Sequence, residues 1–543
     1  MTKRFLASLF FLLAAGCTGE NEGTGNGNSS NAPRDNVLRV AADAEPQSLD
    51  PMLTTGHTEH RILCSLFEGL TTLNQKTLAV EPGVAQSWEM SSDGKTYTFR
   101  LNPAAKWSDG TPITANDFIY SWKRILSPKL GSEYSYMLWC LENGEKYNKG
   151  DVTDFAQVGA KAIDDHTLEV KLLYPAPYFL TVHMHNAWFP VQQATIEKHG
   201  NIDDRQSKWI LPENMVSNGP FKLVEWQPNR VIRVVRNEHY WNVANVSLEE
   251  IQFYPVNGNL QTAERMFRAN EVDTMETLLI TKVPAYKRDN PDVLRLDPFT
   301  ATYFYRINTT RPPLNDPRVR LALAMSVDKE SICNDVLFGA FIPARALSPP
   351  GIGGYTADAG IDYDLAKAKQ LMAEAGFPDG KGMRPLEILY NESEDHQMIA
   401  EAVQDMWKKN LGIDVTSSKQ EWKVYLNSMT ALNYDVVRAG WIADYLDPMN
   451  YIECFTTGNG NNRTGWTNAE YDSLEQKARF EIDPAKRFGF MQEAEGILLG
   501  DTPIIPIYTY RQRYLVSPSV QGYDSNPMAY MNYRYFSVKH QPN

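Results

Sequence analysis

Predicted amphipathic helices alternate with short apolar strands in the second half of the chain, and this alternation constrains the fold strongly. Over 364–375 the apolar side chains fall on one helical face: Leu365, Ala368, Leu371, Met372 and Ala375. Gly376 follows as a helix stop signal. Further helices are predicted over 398–409 and 485–499, and the segment 412–415 after the first of them has the pattern of a strand. Strands that alternate with helices in this way are typical of an α/β lobe.

The first 300 residues instead show short strands in which apolar and polar residues alternate, at 37–41, 97–101 and 167–172. A chain of 543 residues exceeds a single core and predicts roughly three or four domain-sized units. It contains 12 Trp, 27 Tyr and 22 Phe, and large aromatic side chains favour extensive ligand-contact surfaces.

Charge and motif content exclude several classes of function. The formal net charge is −13 and no run of Lys or Arg exceeds two residues, so binding to nucleic acid is not expected. The nucleophile elbow G-x-S-x-G, the zinc motif H-E-x-x-H and the phosphate-binding loop G-x-x-x-x-G-K-[ST] are all absent. His183 and His185 could place two imidazoles on one face of a strand, but no acidic cluster accompanies them. We therefore expect neither an enzyme, nor a cofactor, nor a metal site.

The N-terminus has the pattern of an export signal. Lys3 and Arg4 precede an apolar run at 5–15, which is too short to span a bilayer and fits the core of a signal peptide. The sequence LAAGC at 13–17 resembles a bacterial lipoprotein box, which implies lipidation of Cys17 after cleavage; a plain secretory signal is the alternative. Residues 18–36 are rich in Gly, Asn and Ser and predict a flexible tether. We expect a lipid-anchored protein of the cell envelope, on the periplasmic side.

Four cysteines remain if Cys17 carries lipid: Cys64, Cys140, Cys333 and Cys454. An even number in an exported protein permits two disulfides, although the sequence does not pair them.

The segment 435–448 has a composition that a simple strand does not require. Two valines are followed within a few residues by Gly440, Trp441 and Asp444, and then by Asp447. One interpretation is a strand that ends in a turn capped by Asp447. The other is the edge of a pocket, in which Trp441 forms an apolar wall and Asp444 binds a cation.

Eight motifs occur in an order that resembles the oligopeptide-binding proteins of bacterial ABC importers. They are SLDP at 48–51, LFEGL at 66–70, GVAQSW at 83–88, KWSDG at 106–110, TANDF at 114–118, AIDDHTLEV at 162–170, NDPRVR at 315–320 and RAGWIADY at 438–445. The resemblance extends from about residue 37 to the C-terminus.

The resemblance implies an α/β, two-lobed, periplasmic-binding-protein-like fold of three domains with a large extra domain II. Domain I would comprise 37–67, 193–300 and 512–543, domain II 68–192, and domain III 301–511. A peptide would lie between lobes that close about a hinge.

The resemblance also implies roles for single residues. Asp444 matches the position that pairs with the α-ammonium of the peptide, and Arg438 and His396 match cations that can meet its C-terminus. Other positions match the lining of the cleft: Tyr134, Trp422, Tyr510, Trp441, Gly440, His185, Gly56 and, through a less certain local alignment, Asn462. Each aromatic residue could instead pack in the protein core, and Arg438 could instead form a structural ion pair.

Several positions depart from the family pattern. Thr55 and His57 replace an acidic and an aliphatic residue, Ala324 replaces a lysine, and Met429 replaces an arginine of the cleft. Ala301 and Ile442 stand where a relative has a disulfide pair. The anchor for the N-terminus of the peptide is thus retained, while the anchoring of its C-terminus differs.

The expected function is capture of oligopeptides and their delivery to an ABC permease, by a monomeric lipoprotein. The same fold could instead bind a dipeptide, an opine, a sugar or a nickel chelate. A sensor or chaperone of the envelope that presents peptides to a partner is a further alternative.

Overall fold

The computed structural model describes residues 35–539. The predicted signal peptide, Cys17 and the predicted tether up to residue 34 lie outside the described residues. The strands are β1 Val37–Ala42, β2 Thr71–Leu73, β3 Val80–Pro82, β4 Ala85–Met90, β5 Thr96–Leu101, β6 Ala160–Asp164, β7 Thr167–Lys171, β8 Phe221–Gln227, β9 Val231–Arg236, β10 Glu250–Pro255, β11 Thr274–Met275, β12 Leu294–Ile307, β13 Ile342–Pro343, β14 Leu386–Asn391, β15 Val415–Gln420, β16 Val436–Ile442, β17 Ile504–Val516, β18 Val520–Gln521 and β19 Ser537–Val538. The α-helices are α1 His57–Leu66, α2 Ala115–Ile125, α3 Gly144–Lys149, α4 Gln193–His199, α5 Leu260–Arg268, α6 Val283–Asp289, α7 Pro317–Met325, α8 Lys329–Ser331, α9 Leu365–Glu374, α10 Glu394–Leu411, α11 Trp422–Thr430, α12 Met449–Ile452, α13 Ala469–Phe480 and α14 Pro484–Asp501.

One mixed sheet of eleven strands passes through the whole molecule. Its order is β15-β14-β16-β12-β17-β11-β1-β10-β9-β8, and β13 pairs separately with β17. The long antiparallel strands β12 and β17 join the two halves, because each pairs with strands on both sides. Their ladder is interrupted between Pro298 and Thr302. The predicted domain boundaries at 300/301 and 511/512 fall inside these two strands, while the limits of the domains stay a prediction.

A second, four-stranded sheet of order β4-β5-β7-β6 lies within the segment predicted as domain II. Its buried side chains form one continuous apolar cluster with those of β1, β8, β9 and β10. Helix α2 of this segment begins with the predicted capping box, in which Asp117 accepts a hydrogen bond of 2.8 Å from the backbone N–H of Thr114. The segment therefore packs firmly against the first half of the large sheet.

The predicted helices of the second half are confirmed, with ends that differ by a few residues. Helix α9 begins after Asp364, whose carboxylate accepts from the N–H of Lys367, and it buries Ala368, Leu371 and Met372. Helix α10 is longer than predicted at both ends and stops at Gly412, which has a φ of +71°. Helix α10 packs on strands β14 and β15, and α9 packs on α7 and α10.

The four described cysteines are buried free thiols, so the two disulfides that the sequence permitted do not form between them. His183 packs among aromatic side chains, whereas His185 stacks on His60. Between residues 35 and 539, no His, Cys, Asp and Glu side chains are grouped so that they could hold a metal ion. Over the same residues, no helix has both the length and the apolar character that a membrane span needs.

Candidate functional site

The two carboxylates that follow β16 have different environments. Asp447 forms a buried, bidentate ion pair with Arg487, at 2.8 and 2.7 Å, and also accepts from the N–H of Met449. Asp444 has no Lys, Arg or His nitrogen within 4.0 Å among the described residues. Asp447 therefore fixes the turn, as the first interpretation predicted, whereas the binding of a cation by Asp444 stays a prediction.

Asp444 is held by neutral donors. The hydroxyl of Tyr136 donates to its Oδ2 at 2.9 Å, and the amide of Asn450 approaches the same oxygen at 3.4 Å. Asn450 Oδ1 accepts from the indole of Trp441 at 2.9 Å and from the N–H of Asp444 at 3.0 Å. Asn450 thus fixes the carboxylate and the indole relative to each other.

These side chains line a cavity of about 730 Å³ between the segment 136–182 and the loops after β16. The other charged side chains of its wall are paired: Glu145 with Lys149, and Glu453 with Arg479. Asp444 is the unpaired charge of this wall within the described part of the chain. A cavity of this size with a few convergent polar groups is typical of a ligand site.

Burial raises the pKa of Asp444 to about 6, although the hydrogen bonds from Tyr136 and Asn450 lower it. The nearby carboxylate of Glu453 raises it further. A carboxylate whose charge is disfavoured in this way gains most from an incoming cation.

Aromatic side chains surround the carboxylate on the side of segment 136–182. Tyr134 packs against Tyr136, with ring centroids 5.8 Å apart, and edge-on against the buried His185 at 4.5 Å. Tyr178 stacks on Tyr445 at 4.1 Å and so joins this segment to the loop after β16. Trp441 and Asp444 therefore lie in the cavity wall, Tyr134 and His185 lie next to it behind Tyr136, and a ligand role for these residues stays a prediction.

Arg438 and Gly440 lie on the opposite face of β16 from Trp441, because side chains alternate along a strand. Arg438 donates to the hydroxyl of Tyr510 at 2.8 Å and lies 5.0 Å from the ring centre of Tyr303. A Cβ at Gly440 would lie 3.4 Å from both Arg438 and Tyr510, which is ordinary contact. No carboxylate of the described residues pairs with Arg438, so the structural ion pair that the sequence left open does not form there.

Two further predicted residues lie beside this group. Trp422 is 52% exposed and stacks on Tyr425, whose hydroxyl donates to the carbonyl of Arg438. His396 lies 5.5 Å from the ring of Tyr303. Burial, together with the charge of Arg438, lowers the pKa of His396 to about 2. Burial thus disfavours a positive charge on His396, and its role as a cation that meets the C-terminus of a peptide stays a prediction.

The structure does not place the side chain of Asn462 in the cavity wall. Its side chain is 6% exposed and donates to the carbonyls of Phe455 and Trp466, both at 3.0 Å. These bonds hold the loop 455–466 closed and leave the amide no free donor for a ligand. Asn461, its neighbour, lines the cavity instead.

Thr55, Gly56 and His57 lie at the start of α1, and Thr55 and His57 are exposed. The ring of His57 lies 6.4 Å from Phe299, in the interruption of the β12–β17 ladder. A Cβ at Gly56 would meet the Glu59 carboxylate at 2.0 Å, so the space beside this glycine is occupied by the protein itself. The structure brings this loop to the joint between the halves of the sheet, and a ligand role for it stays a prediction.

The departures from the family pattern also have definite positions. Ala301 and Ile442 are directly opposite each other in the β12–β16 ladder, which is the placement that a disulfide pair requires. Ala324 is buried in α7. Met429 is buried in α11 and contacts Arg306.

The sequence did not single out Tyr136, Asn450 or Asn461. Tyr136 follows Tyr134 by two positions and Asn461 precedes Asn462, so single positions that match the family lie close to both. Asn450 lies two residues after Pro448, in the first turn of helix α12. A residue at such a position is expected to contact the loop that precedes the helix.

Comparison with known proteins identifies the family of the chain. The family described as bacterial extracellular solute-binding proteins, family 5 Middle, matches residues 79–463. The dipeptide-binding protein DppE of Bacillus subtilis is 36% identical over 538 residues, which cover 96% of this chain and 95% of that protein. The periplasmic oligopeptide-binding protein OppA of Escherichia coli is 37% identical over 491 residues, which cover 88% of each chain.

A solved structure of the Escherichia coli murein tripeptide-binding protein MppA has the same fold. It matches with a TM-score of 0.80 and 36% identity, and the match covers 94% of this chain and 99% of that one. The two-lobed, mixed α/β architecture that the sequence predicted is thereby confirmed.

Proposed function

We infer the function from the premise that this chain belongs to the family 5 bacterial extracellular solute-binding proteins. Members of this family bind a solute for an ABC importer, so the chain is a binding protein and not an enzyme. We propose that it captures short peptides in the cavity beside β16 and delivers them to an ABC permease.

The observation that carries this proposal is the unpaired carboxylate of Asp444. It lies in the cavity wall, is fixed by Tyr136 and Asn450, and has no cationic partner among the described residues. Every unblocked peptide carries an α-ammonium group at neutral pH. An ion pair in a site closed to water is strong, and removal of one partner costs about 2–5 kcal/mol.

A receptor that reads the α-ammonium can accept many sequences, because this group is common to all of them. The remaining backbone of an extended peptide can pair with main-chain groups of the protein. Side chains can be accommodated through bridging waters, which tolerate varied shapes. Capture of mixed sequences is the expected behaviour.

The names of the relatives support peptides as the class of ligand, but the peptides that they name differ in length: dipeptide, murein tripeptide and oligopeptide. We propose oligopeptides as the preferred ligands, because the cavity that contains Asp444 is large. The unpaired carboxylate of Asp444 disfavours a solute without a cationic group, such as a neutral sugar.

For the cellular setting we propose a monomeric lipoprotein of the envelope, anchored through Cys17 by the tether 18–36. The alternative in another class is a peptide sensor. Uptake of a labelled peptide by cells that lack and then regain this gene, with their permease intact, separates the two. Import requires that uptake falls on deletion, whereas sensing leaves uptake unchanged.

The test of the binding function is mass spectrometry of the ligands released by acid from protein purified without denaturation. A mixture of short peptides of varied sequence with free N-termini is expected. A single uniform compound that is not a peptide would contradict the proposal. Protein refolded from denaturant serves as the control for carry-over, and should release peptide only after incubation with a peptide mixture.

A further inference from the structure

Arg306, near the end of β12, is a buried cation without an anionic partner. It is 4% exposed. One terminal nitrogen lies 3.0 Å from the sulfur of Met429, and the other donates to the carbonyl of Asn461 at 3.0 Å. The guanidinium lies 5.4 Å from the ring centre of Phe304, and Nε has no hydrogen-bond partner.

The other buried arginines of the described chain are better compensated. Five of them form an ion pair within 4.0 Å: Arg39 with Asp273, Arg61 with Glu276, Arg124 with Asp50, Arg487 with Asp447 and Arg534 with Glu68. Arg320 binds two carbonyl groups, one of them at the C-terminal end of α14, where cations are favoured. Arg306 has only a thioether, one carbonyl and one aromatic ring.

Such an arrangement is unfavourable unless an anion joins it. Transfer of a charge out of water is costly, and buried charges in proteins are almost always paired. Burial accordingly lowers the pKa of Arg306. A thioether is a weak acceptor, and it leaves the positive charge largely uncompensated.

Arg306 lies directly behind the wall of the cavity. Its acceptor Asn461 belongs to that wall. In the β12–β16 ladder Thr302 is opposite Trp441 and Arg306 is opposite Val437, so Arg306 is on the same face of the sheet as Trp441. Four positions along a strand correspond to about 13 Å. This is the distance that an extended peptide covers in about four residues.

We propose that Arg306 binds a carboxylate of the captured peptide, either of an acidic side chain or of the C-terminus. Met429 covers the guanidinium in this structure, and its flexible side chain can move aside when the carboxylate enters. This subsite rests on the proposed peptide-binding function and specifies which peptides the protein prefers.

The test measures binding of matched tetrapeptides by calorimetry. All peptides have a free N-terminus. In one series Glu or Gln stands at position 2, 3 or 4 and the C-terminus is amidated. In the other series the side chains are neutral and the C-terminus is either free or amidated. The variants are Arg306→Met, which removes the charge, and Arg306→Lys, which keeps it. Arg345→Met is the control, because Arg345 pairs with Asp362 at the surface.

We expect the unaltered protein to bind at least one carboxylate peptide ten-fold or more tightly than its neutral twin. Arg306→Met should reduce this ratio to less than three-fold and leave the affinity for the neutral twin within three-fold. Arg306→Lys should keep part of the preference, and Arg345→Met all of it. The series that shows the effect identifies the side chain or the C-terminus as the source of the carboxylate.

Equal ratios in the unaltered protein and Arg306→Met would overturn the subsite and leave the proposed function intact. The same conclusion follows if Arg306→Met lowers the affinity for all peptides alike, since that result indicates a structural arginine. Failure of every peptide to bind the unaltered protein would overturn the proposed function, and the subsite with it.

Discussion

The hydroxyl of Tyr136 donates a hydrogen bond of 2.9 Å to the carboxylate of Asp444, although 308 residues separate the two in the chain. The bond crosses from the segment predicted as domain II to the loop after β16, so it links opposite walls of the cavity. A hydrogen bond to an ionised acceptor is stronger than one to a neutral group. Ionisation of Asp444 therefore strengthens the contact between the two walls of the cavity.

Replacement of Asp444 by asparagine is expected to weaken peptide binding by ten-fold or more. The side chain keeps its shape but loses the charge that pairs with the α-ammonium, a loss that corresponds to about 2–5 kcal/mol. Calorimetry with one free and one N-acetylated peptide checks this. The acetylated peptide should bind both proteins equally weakly, and an undiminished affinity of Asp444→Asn for the free peptide would assign Asp444 a structural role.

Peptide affinity should depend on pH, because burial raises the pKa of Asp444 to about 6. Below this pH the carboxyl group is protonated and cannot pair with the ammonium. We expect the dissociation constant to fall as the pH rises from 5 to 7, and to rise again above about pH 8, where the α-ammonium group of the peptide loses its proton. Asp444→Asn should show a flat profile over this range, and a matching slope in that variant would attribute the pH dependence to another group.

The raised pKa of Asp444 also makes the stability of the folded protein fall as the pH rises, whereas peptide affinity rises over the same range. The pKa of Asp444 is 3.8 in its ordinary state and about 6 in the folded protein, so the folded state binds the proton more tightly. Relative to Asp444→Asn, the unaltered protein should therefore lose stability as the pH rises from about 4 through 6, by at most about 3 kcal/mol. Urea unfolding of both proteins without added peptide, at pH 4.5 and 7.5, measures this difference.

Tyr136→Phe should move the midpoint of the pH profile upward. The hydroxyl lowers the pKa of Asp444 by donating to its charged form, so its loss leaves the carboxyl group protonated to a higher pH. At pH 5.5 the affinity for peptide should fall several-fold, and at pH 8 it should change little. Tyr535→Phe, at a similarly exposed tyrosine away from the cavity, is the control. An equal loss at both pH values would indicate a direct contact of Tyr136 with the peptide.

Local signals in the sequence were sufficient for the three helices that were predicted in the second half of the chain. The Asp364 cap and Gly376 bound α9, and Gly412 ends α10, because caps and stops act within one turn. The order of the large sheet could not be derived in this way. Strands β12 and β17 pair across about 200 residues, and the resemblance to a family implied the two-lobed fold without giving this strand order.

The site was predicted where a motif fixes the backbone and was missed where loops decide the contacts. Asp444 and Trp441 lie in an ungapped motif, and the structure places both in the cavity wall. Asn462 lies in a loop, where its amide donates to backbone carbonyls, and its neighbour Asn461 lines the cavity instead. Arg306 sits inside a strand whose pattern predicts a core position, so its missing partner becomes visible only in three dimensions.

Cysteines at positions 301 and 442 should form a disulfide spontaneously. Ala301 and Ile442 are opposite partners in the antiparallel β12–β16 ladder, where the Cα atoms lie about 4.5–5.5 Å apart, within the range that a disulfide needs. The oxidised double variant should be about 2–4 kcal/mol more stable than its reduced form, although strain would diminish the gain. Thiol titration in denaturant should give the same number of free thiols in the oxidised variant as in the parent, because the two new cysteines are paired. Each single variant should add one thiol and no stability. Two additional thiols in the double variant after air oxidation would show that the two strands do not hold these positions in disulfide geometry.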